Sequence, residues 1–229
     1  MVRPVKKKQI PNLQDAIKET AWKQIAQFGA PALSLRAIAR ELKITAPAIY
    51  NYFSDRDALV TALIIDAFTS FGDSQLQARD SVPAEDLDGR FRAIGVAYRK
   101  WAHAYPQRYQ LIFGTPIPEY EAPIDKVFPS SARSIMALFS VVESFRAAGK
   151  LTVDTFPTVK KEYQVHFDLW RAQVGDLHPI SHFVAMVIWA RVHGIVSLEI
   201  QGNLPPFGES GDELYLYEID SIAKQFIKE

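Results

Sequence analysis

The chain has 229 residues, no cysteine, 48% hydrophobic and 12% aromatic content, and 26 Lys and Arg against 26 Asp and Glu. That apolar load suits one large domain, or a small one joined to a larger one, and is too high for a disordered chain. The missing cysteines exclude disulfides, thiolate zinc sites, iron–sulfur clusters and cysteine nucleophiles, and a reducing cytoplasm is the expected compartment.

The zero net charge hides an asymmetry. Residues 1–56 hold ten Lys or Arg and four Asp or Glu, whereas residues 57–229 hold sixteen and twenty-two. A basic head on an acidic body is the distribution expected when the head alone meets a polyanion. The start, MVRPVKKKQI, has no apolar stretch behind its basic residues, so no secretory signal is expected. The longest apolar run, Phe183 to Ala190, is far short of the roughly 20 residues of a membrane span, so no membrane association is expected.

In chain order, Arg3 to Lys8 read as a basic arm. Asn12 is placed to cap a helix whose apolar face is Leu13, Ala16, Ile17, Thr20, Ala21, Ile25 and Phe28, and Gly29 ends it. Ser34 caps a second helix, Leu35 to Leu42, with Leu35, Ile38, Ala39 and Leu42 inward. After the turn Lys43-Ile44, Thr45 caps a third helix running to Phe53, with Pro47 in its first turn. Ser54 or Asp55 caps a long fourth helix to about Ala78. Helices follow that carry Phe91, Ile94, Tyr98 and Trp101, and then Tyr109, Ile112 and Phe113 behind Pro106. Residues 114–129 read as a proline-rich connection. Further helices are expected over about 130–148, 158–174, 180–201 and 212–228. No alternating strand pattern appears. The fold class is all-α, with a helix-turn-helix domain over 1–56 and a larger helical domain over 57–229.

Two short helices joined by a tight turn and preceded by a supporting helix form a helix-turn-helix unit. A major groove about 12 Å wide admits one α-helix, and the first turns of the second helix reach base edges. Here they carry Thr45, Ala46, Pro47, Ala48, Tyr50, Asn51 and Tyr52. Thr45 and Asn51 can donate and accept, and the alanines and proline offer contact to thymine methyls. No Arg or Gln lies on this helix, so Arg36 on the preceding one is the better candidate for guanine. Lys43, Tyr50, Tyr52 and Arg56 are candidate phosphate contacts.

The stretch Ser34 to Leu59, SLRAIARELKITAPAIYNYFSDRDAL, resembles the DNA-binding domain of the tetracycline-repressor (TetR) family. Ile38-Ala39, Leu42, Ile44-Thr45, Ala48-Ile49-Tyr50, Phe53 and Leu59 match its pattern, and Arg56 stands where the family usually has Lys. Trp189 to Ile200, WARVHGIVSLEI, resembles the Trp–His–Gly signature of one subclass of that family's C-terminal domains. The resemblance implies a homodimer on a palindromic double-stranded operator, joined through a four-helix bundle of the last two helices. Phe183, Val187, Ile195, Leu198, Leu214, Tyr217 and Ile222 are candidates for its apolar face. It also implies a small-molecule effector held in the C-terminal domain.

Aromatic residues crowd the middle of the chain. Trp101, Tyr105, Tyr109, Phe113, Phe139, His166, Phe167 and Trp170 are candidates to line a site for a small hydrophobic or aromatic effector, although aromatics at helical spacing often serve as core. Trp189, His193 and Gly194 read as packing residues, with Gly194 allowing close helix approach.

Enzyme chemistry finds little support. His178 and His182 stand four apart, but Pro179 intervenes and no Glu sits between them as a zinc hydrolase would need. There is no phosphate-cradling glycine loop and no nucleophile elbow, so neither cofactor nor metal is expected. The leading reading is a DNA-binding regulator, a repressor released by an effector through the fourth helix. An activator of the same fold, or an interaction module whose helix-turn-helix has left DNA, stays open at this point.

Overall fold

A computed structural model describes residues 11–154, 156–204 and 211–228, apart from the side chain of Gln164. The basic arm Arg3 to Lys8 lies outside the described residues. Three of the first four helices begin on a side-chain cap. The Asn12 side-chain Oδ1 accepts from the Asp15 N–H at 3.3 Å and opens α1 (Leu13–Phe28), which Gly29 closes at φ 81°. Ser34 accepts from the Ala37 N–H at 3.4 Å and opens α2 (Leu35–Leu42). Asp55 accepts from the Ala58 N–H at 2.7 Å and opens α4 (Arg56–Asp80). Between them, Lys43 takes the left-handed conformation at φ 56°, and the chain reverses into α3 (Ala46–Tyr50).

The third helix is shorter than the sequence pattern predicts. It ends at Tyr50 rather than Phe53, because the Tyr52 and Phe53 N–H groups both turn back to the Ile49 carbonyl, at 2.8 and 3.0 Å. Thr45 holds the N-cap position without a side-chain capping bond. Phe28, expected on the inner face of α1, is exposed, and Gln24 is buried in its stead, with its side chain accepting from the Ser34 N–H at 3.3 Å.

The larger domain comprises α5 (Leu87–Ala104), α6 (Pro106–Phe113), α7 (Ile124–Ala147), α8 (Gln164–Val174), α9 (Pro179–Ile200) and α10 (Asp212–Phe226). Helix α7 starts six residues before the expected boundary and contains Pro129. The proline removes its own N–H and crowds one carbonyl, while Val127, Ser130 and Ala132 on the same first turns are buried, and that burial holds the early turns in place. Helix α8 begins later than expected, after a single turn at Lys161–Tyr163. Among the described residues the regular structure is helical, apart from one isolated bridge, Leu151 to Ile227, that ties the chain after α7 to the end of α10.

Two cores result. The head core gathers Ile17, Ala21, Ile38, Ile49, Phe53 and Leu59, and reaches Phe68 on α4 and Ile117 and Val127 from the larger domain. The body core gathers Phe71, Phe91, Tyr98, Trp101, Phe139, Val192, Tyr215 and Phe226. Helix α4 belongs to both, since Leu59, Val60, Leu63, Ile64 and Phe68 face the head while Ala67 and Phe71 face the body. It crosses α7 closely at Gly72, where an added Cβ would stand 2.9 Å from the Arg133 carbonyl oxygen. Next to this crossing the buried Gln75 donates to the Ser134 carbonyl at 2.9 Å. Helix α6 makes a second bridge, with the Arg108 guanidinium 5.2 Å above the Trp22 ring of α1.

Helix α9 is long and apolar enough, by length and composition, to cross a membrane. Its polar positions are nevertheless met by neighbours within the bundle: Arg191 pairs with Glu218 of α10, and Glu199 with Arg99 of α5. Val184, Ala185, Ile188, Val192 and Val196 form its inner face, whereas Met186, Val187 and Leu198 are exposed.

Candidate DNA-contact face and ligand cavity

The head presents Arg36 from the first turn of α2, Lys43 from the turn, and Thr45, Pro47, Tyr50, Asn51 and Tyr52 from α3 and its exit, all exposed. Ala46 and Ala48 are half-buried between them. Their arrangement follows from one anchor. Ile49 is 0% exposed, and fixing it inward turns the rest of so short a helix outward. Tyr50 and Tyr52 are large side chains left in solvent, the pattern of an aromatic with a polar tip at a wet boundary. Asn51 and Tyr52 lie on the turn after α3 rather than on the helix itself.

Arg56 is placed differently from the other candidates. Its guanidinium donates to the Ala30 and Pro31 carbonyls, both at 3.4 Å, and approaches Asp57 at 3.4 Å. It therefore ties the loop after α1 to the start of α4. Asp55 beside it stays ionised: the Ala58 N–H and the Ser54 hydroxyl hold its carboxyl below the usual range.

The eight aromatic candidates of the larger domain fall into two separate groups. Trp101, Tyr105, Tyr109 and Phe113 come together on α5 and α6. Trp101 and Tyr109 are buried core residues there, with the Trp101 indole N–H donating to the Ser70 hydroxyl at 3.0 Å. Phe113 packs edge-on against Phe68 and Phe71, at 5.7 Å from each. Tyr105 is exposed under the Arg108 guanidinium. Tyr105 meets solvent along an open furrow between α4 and α5, with Trp101 at its floor and Arg92 and Lys100 on its rim.

This group closes on a polar knot around His193. Its Nδ1 lies 2.9 Å from the hydroxyls of both Tyr98 and Tyr109, and its Nε2 lies 3.2 Å from Ser197. Trp189 stacks on its ring at 4.8 Å. Burial pushes the His193 pKa below the ordinary histidine value and the Tyr98 phenol well above its own. Gly194, expected to admit a close helix, has nothing within 4 Å of an added Cβ among the described residues.

Phe139, His166, Phe167 and Trp170 do come together. With Tyr163, His182, Phe183 and Met186 they surround a cavity of about 420 Å³ between α7, α8 and α9. The spacing explains this: residues 163, 166, 167 and 170 share one face of α8 and its preceding turn, and residues 182, 183 and 186 share one face of α9. His182 is 4% exposed, with its ring centroid 4.7 Å from Phe139 and 5.3 Å from Phe167. Among the described residues neither of its ring nitrogens has a hydrogen-bond partner. Burial lowers its pKa, and the Glu143 charge works against that shift. In the sequence His182 stands out only beside His178, whose ring instead accepts from the Ile180 N–H at 3.2 Å. The available signal was its position in the apolar stripe of α9. No group of three metal-ligating side chains occurs among the described residues.

Comparison with known proteins places these features in a family. Residues 17–63 match the model for bacterial regulatory proteins of the tetR family, and residues 91–222 match the tetracyclin repressor-like C-terminal domain. The second span contains Trp189, His193 and Gly194. The HTH-type transcriptional regulators Mb1846 of Mycobacterium bovis and Rv1816 of Mycobacterium tuberculosis are each 34% identical over 196 residues, covering 83% of this chain and 82% of theirs. Among solved structures, the candidate regulatory protein SCO4313 is 34% identical with a TM-score of 0.74, covering 93% of this chain and 95% of its own. A protein of unknown function from Rhodococcus sp. RHA1 shares the fold at 22% identity and a TM-score of 0.73, covering 98% and 100%.

Proposed function

The chain belongs to the tetracycline-repressor family, and from that premise we propose that it is a homodimeric repressor which a small apolar effector releases from a palindromic operator. That it is a DNA-binding transcriptional regulator rests on the family. The residue roles are our reading. Thr45 and Asn51 read base edges, Ala46, Pro47 and Ala48 meet thymine methyls, and Arg36 reaches a guanine. Lys43, Tyr50 and Tyr52 hold phosphates. Arg56 adds charge while fixing the loop behind the motif. The observation that carries this reading is the outward face of Arg36, Lys43, Thr45, Tyr50, Asn51 and Tyr52 on the basic end of an otherwise acidic chain.

A single half-site binds one head weakly, and two heads must stand about 34–36 Å apart to reach successive turns of DNA. The exposed stripe of α9, with Met186, Val187, Ala190, Gly194 and Leu198, and the exposed Leu216 and Tyr217 of α10 supply the dimer face. Phe183, Ile195 and Leu214 flank it, half-buried. Ile222, expected on that face, is instead fully buried in its own chain's core. Gly194 then serves the partner helix, whose backbone it lets approach. Effector binding in the body shifts α4, which is shared by both cores, and the half-site spacing is lost.

The test is selection of bound genomic fragments by the purified protein, with affinity followed against salt. A palindrome with half-sites about one turn apart, bound with a steep salt dependence, is the expected result. A folded protein that enriches no fragment, even after refolding from denaturant to strip any bound effector, refutes the reading.

A further inference from the structure

We propose that the cavity between α7, α8 and α9 is the effector site and that it takes an uncharged compound of one or two rings bearing a hydroxyl group that exchanges a hydrogen bond with His182. This rests on the reading of the chain as an effector-released regulator. Its volume of about 420 Å³ lies at the small end of the range for small-molecule sites. By contrast, the space enclosed among Gln75, Tyr98, Ile135 and Ile219 in the middle of the body is about 20 Å³, room for about one water.

The chemistry of the wall selects the ligand. Phe139, Phe167, Trp170 and Tyr163 offer ring faces and edges, which suit a flat apolar partner. Met186 at the half-exposed rim is an adaptable side chain that can follow different ring shapes. His182 adds the polar component. A neutral imidazole has one donor and one acceptor, and both nitrogens are buried and unpartnered among the described residues. Buried polar groups are nearly always paired, so an occupant that pairs one of them gains more than it would from a hydrated group. A hydroxyl donates and accepts, and therefore suits either tautomer of the ring.

Charge excludes the acidic analogue. Among the described residues no Lys or Arg lines the cavity, and burial keeps His182 neutral at neutral pH. The Glu143 carboxylate, which accepts from the Ser181 hydroxyl at 2.6 Å and pairs with Arg146, is the charged group that acts on His182, and it favours no anion there. A carboxylate seated beside His182 would lose water with no Lys or Arg to meet it; His166, the other imidazole of the lining, is exposed on α8. The place of the cavity also suits a switch. His182, Phe183 and Met186 share α9 with Val187 and Leu198, so an occupant that parts α8 from α9 bears on the helix assigned to the dimer face.

The experiment titrates the full-length dimer with naphthol, naphthoate and naphthalene by calorimetry, in parallel with binding to the DNA fragment selected above. Naphthol is expected to bind once per protomer, about tenfold more tightly than naphthalene, the factor for one hydrogen bond to a buried group. Naphthoate is expected to bind more weakly than either. In His182→Phe the naphthol advantage disappears while naphthalene binding is retained. His166→Trp, which fills the rim from α8 and leaves both the buried residues and the dimer face alone, is expected to abolish naphthol binding even if His182→Phe does not fold. Naphthol binding that both substitutions leave unchanged overturns the proposal, and so does preferential binding of naphthoate. Naphthol binding confined to dissociated protomers also overturns it, because the partner copy then fills the cavity. A protein that holds its DNA fragment and binds no naphthol overturns this inference alone, whereas failure to bind any fragment refutes the regulator reading itself.

Discussion

Gly72→Ala probes whether α4 carries the signal between the two cores. By helix propensity alone the change stabilises the protein by about 1 kcal/mol. The crossing with α7 opposes that gain. The new Cβ would stand 2.9 Å from the Arg133 carbonyl oxygen and 3.0 Å from the Ser134 Cα, where ordinary contact begins at 3.4 Å. These are backbone atoms that cannot rotate aside, so the helices must part by about 0.5 Å, and overpacking of this kind costs about 1–3 kcal/mol. The net expectation is a loss of about 1 kcal/mol. At 1.5 Å per residue, α4 extends about 24 Å from Gly72 to Arg56 and about 12 Å from Gly72 to Asp80. A tilt about its C-terminal end therefore turns ~0.5 Å at Gly72 into ~1.5 Å at the head, enough to misplace groups that need hydrogen-bond geometry. Urea denaturation at fixed protomer concentration gives the stability change, and fluorescence anisotropy on the selected fragment gives the affinity, which should fall about tenfold, or ~1.4 kcal/mol. A stability gain near 1 kcal/mol would mean that the crossing yields freely. A stability loss with unchanged DNA affinity would refute α4 as the coupling element.

Other expectations separate local from global effects. Burial depresses the pKa of His182 and His193 below the ordinary 6.5, so the unfolded chain takes up these protons first as pH falls. Stability should be full above about pH 6.5 and decline below it, by at most about 1.4 kcal/mol per pH unit for each group, with a shallower decline in His182→Phe; an identical decline in the variant would count against a buried neutral His182. Val187→Glu should halve the mass seen by light scattering and weaken operator binding at least ~10-fold while the protomer stays folded. Ile222→Glu should unfold it, because Ile222 is 0% exposed. Arg36→Ala should cost about 1–3 kcal/mol confined to one operator position, whereas a uniform loss across sequences would make Arg36 a phosphate contact.

The head was nearly complete in the sequence. Asn12, Ser34, Asp55 and Gly29 set helix ends through contacts with residues three or four away, and Ile17, Ile38, Ile49 and Phe53 mark inner faces by period. Such local terms are encoded in short stretches of chain and survive without knowledge of the rest. The exposed face from Arg36 to Tyr52 was legible for the same reason, and the outward orientation of Tyr50 follows once Ile49 points inward. The end of α3 at Tyr50 was not legible, because the turn that closes it also delivers Phe53 to the head core.

The larger domain was legible as helices and much less so as a site. Pro129 inside α7 and the full burial of Ile222 were decided by packing across elements, where buried area outweighs local preference. The aromatic candidates carried no mark in the sequence that told core from cavity wall. Trp101 and Tyr109 fill the body because α4, α6 and α9 converge on them, while Phe139, Phe167 and Trp170 border a cavity because α8 stands off from α7 and α9. His182 looked like half of a weak metal pair until the fold set it among rings with no hydrogen-bond partner among the described residues. The sequence by itself determined the head, its caps and its outward-facing residues, since these depend on neighbours along the chain. The tertiary structure alone decided where the body leaves space, since a cavity is a relation among helices distant in sequence.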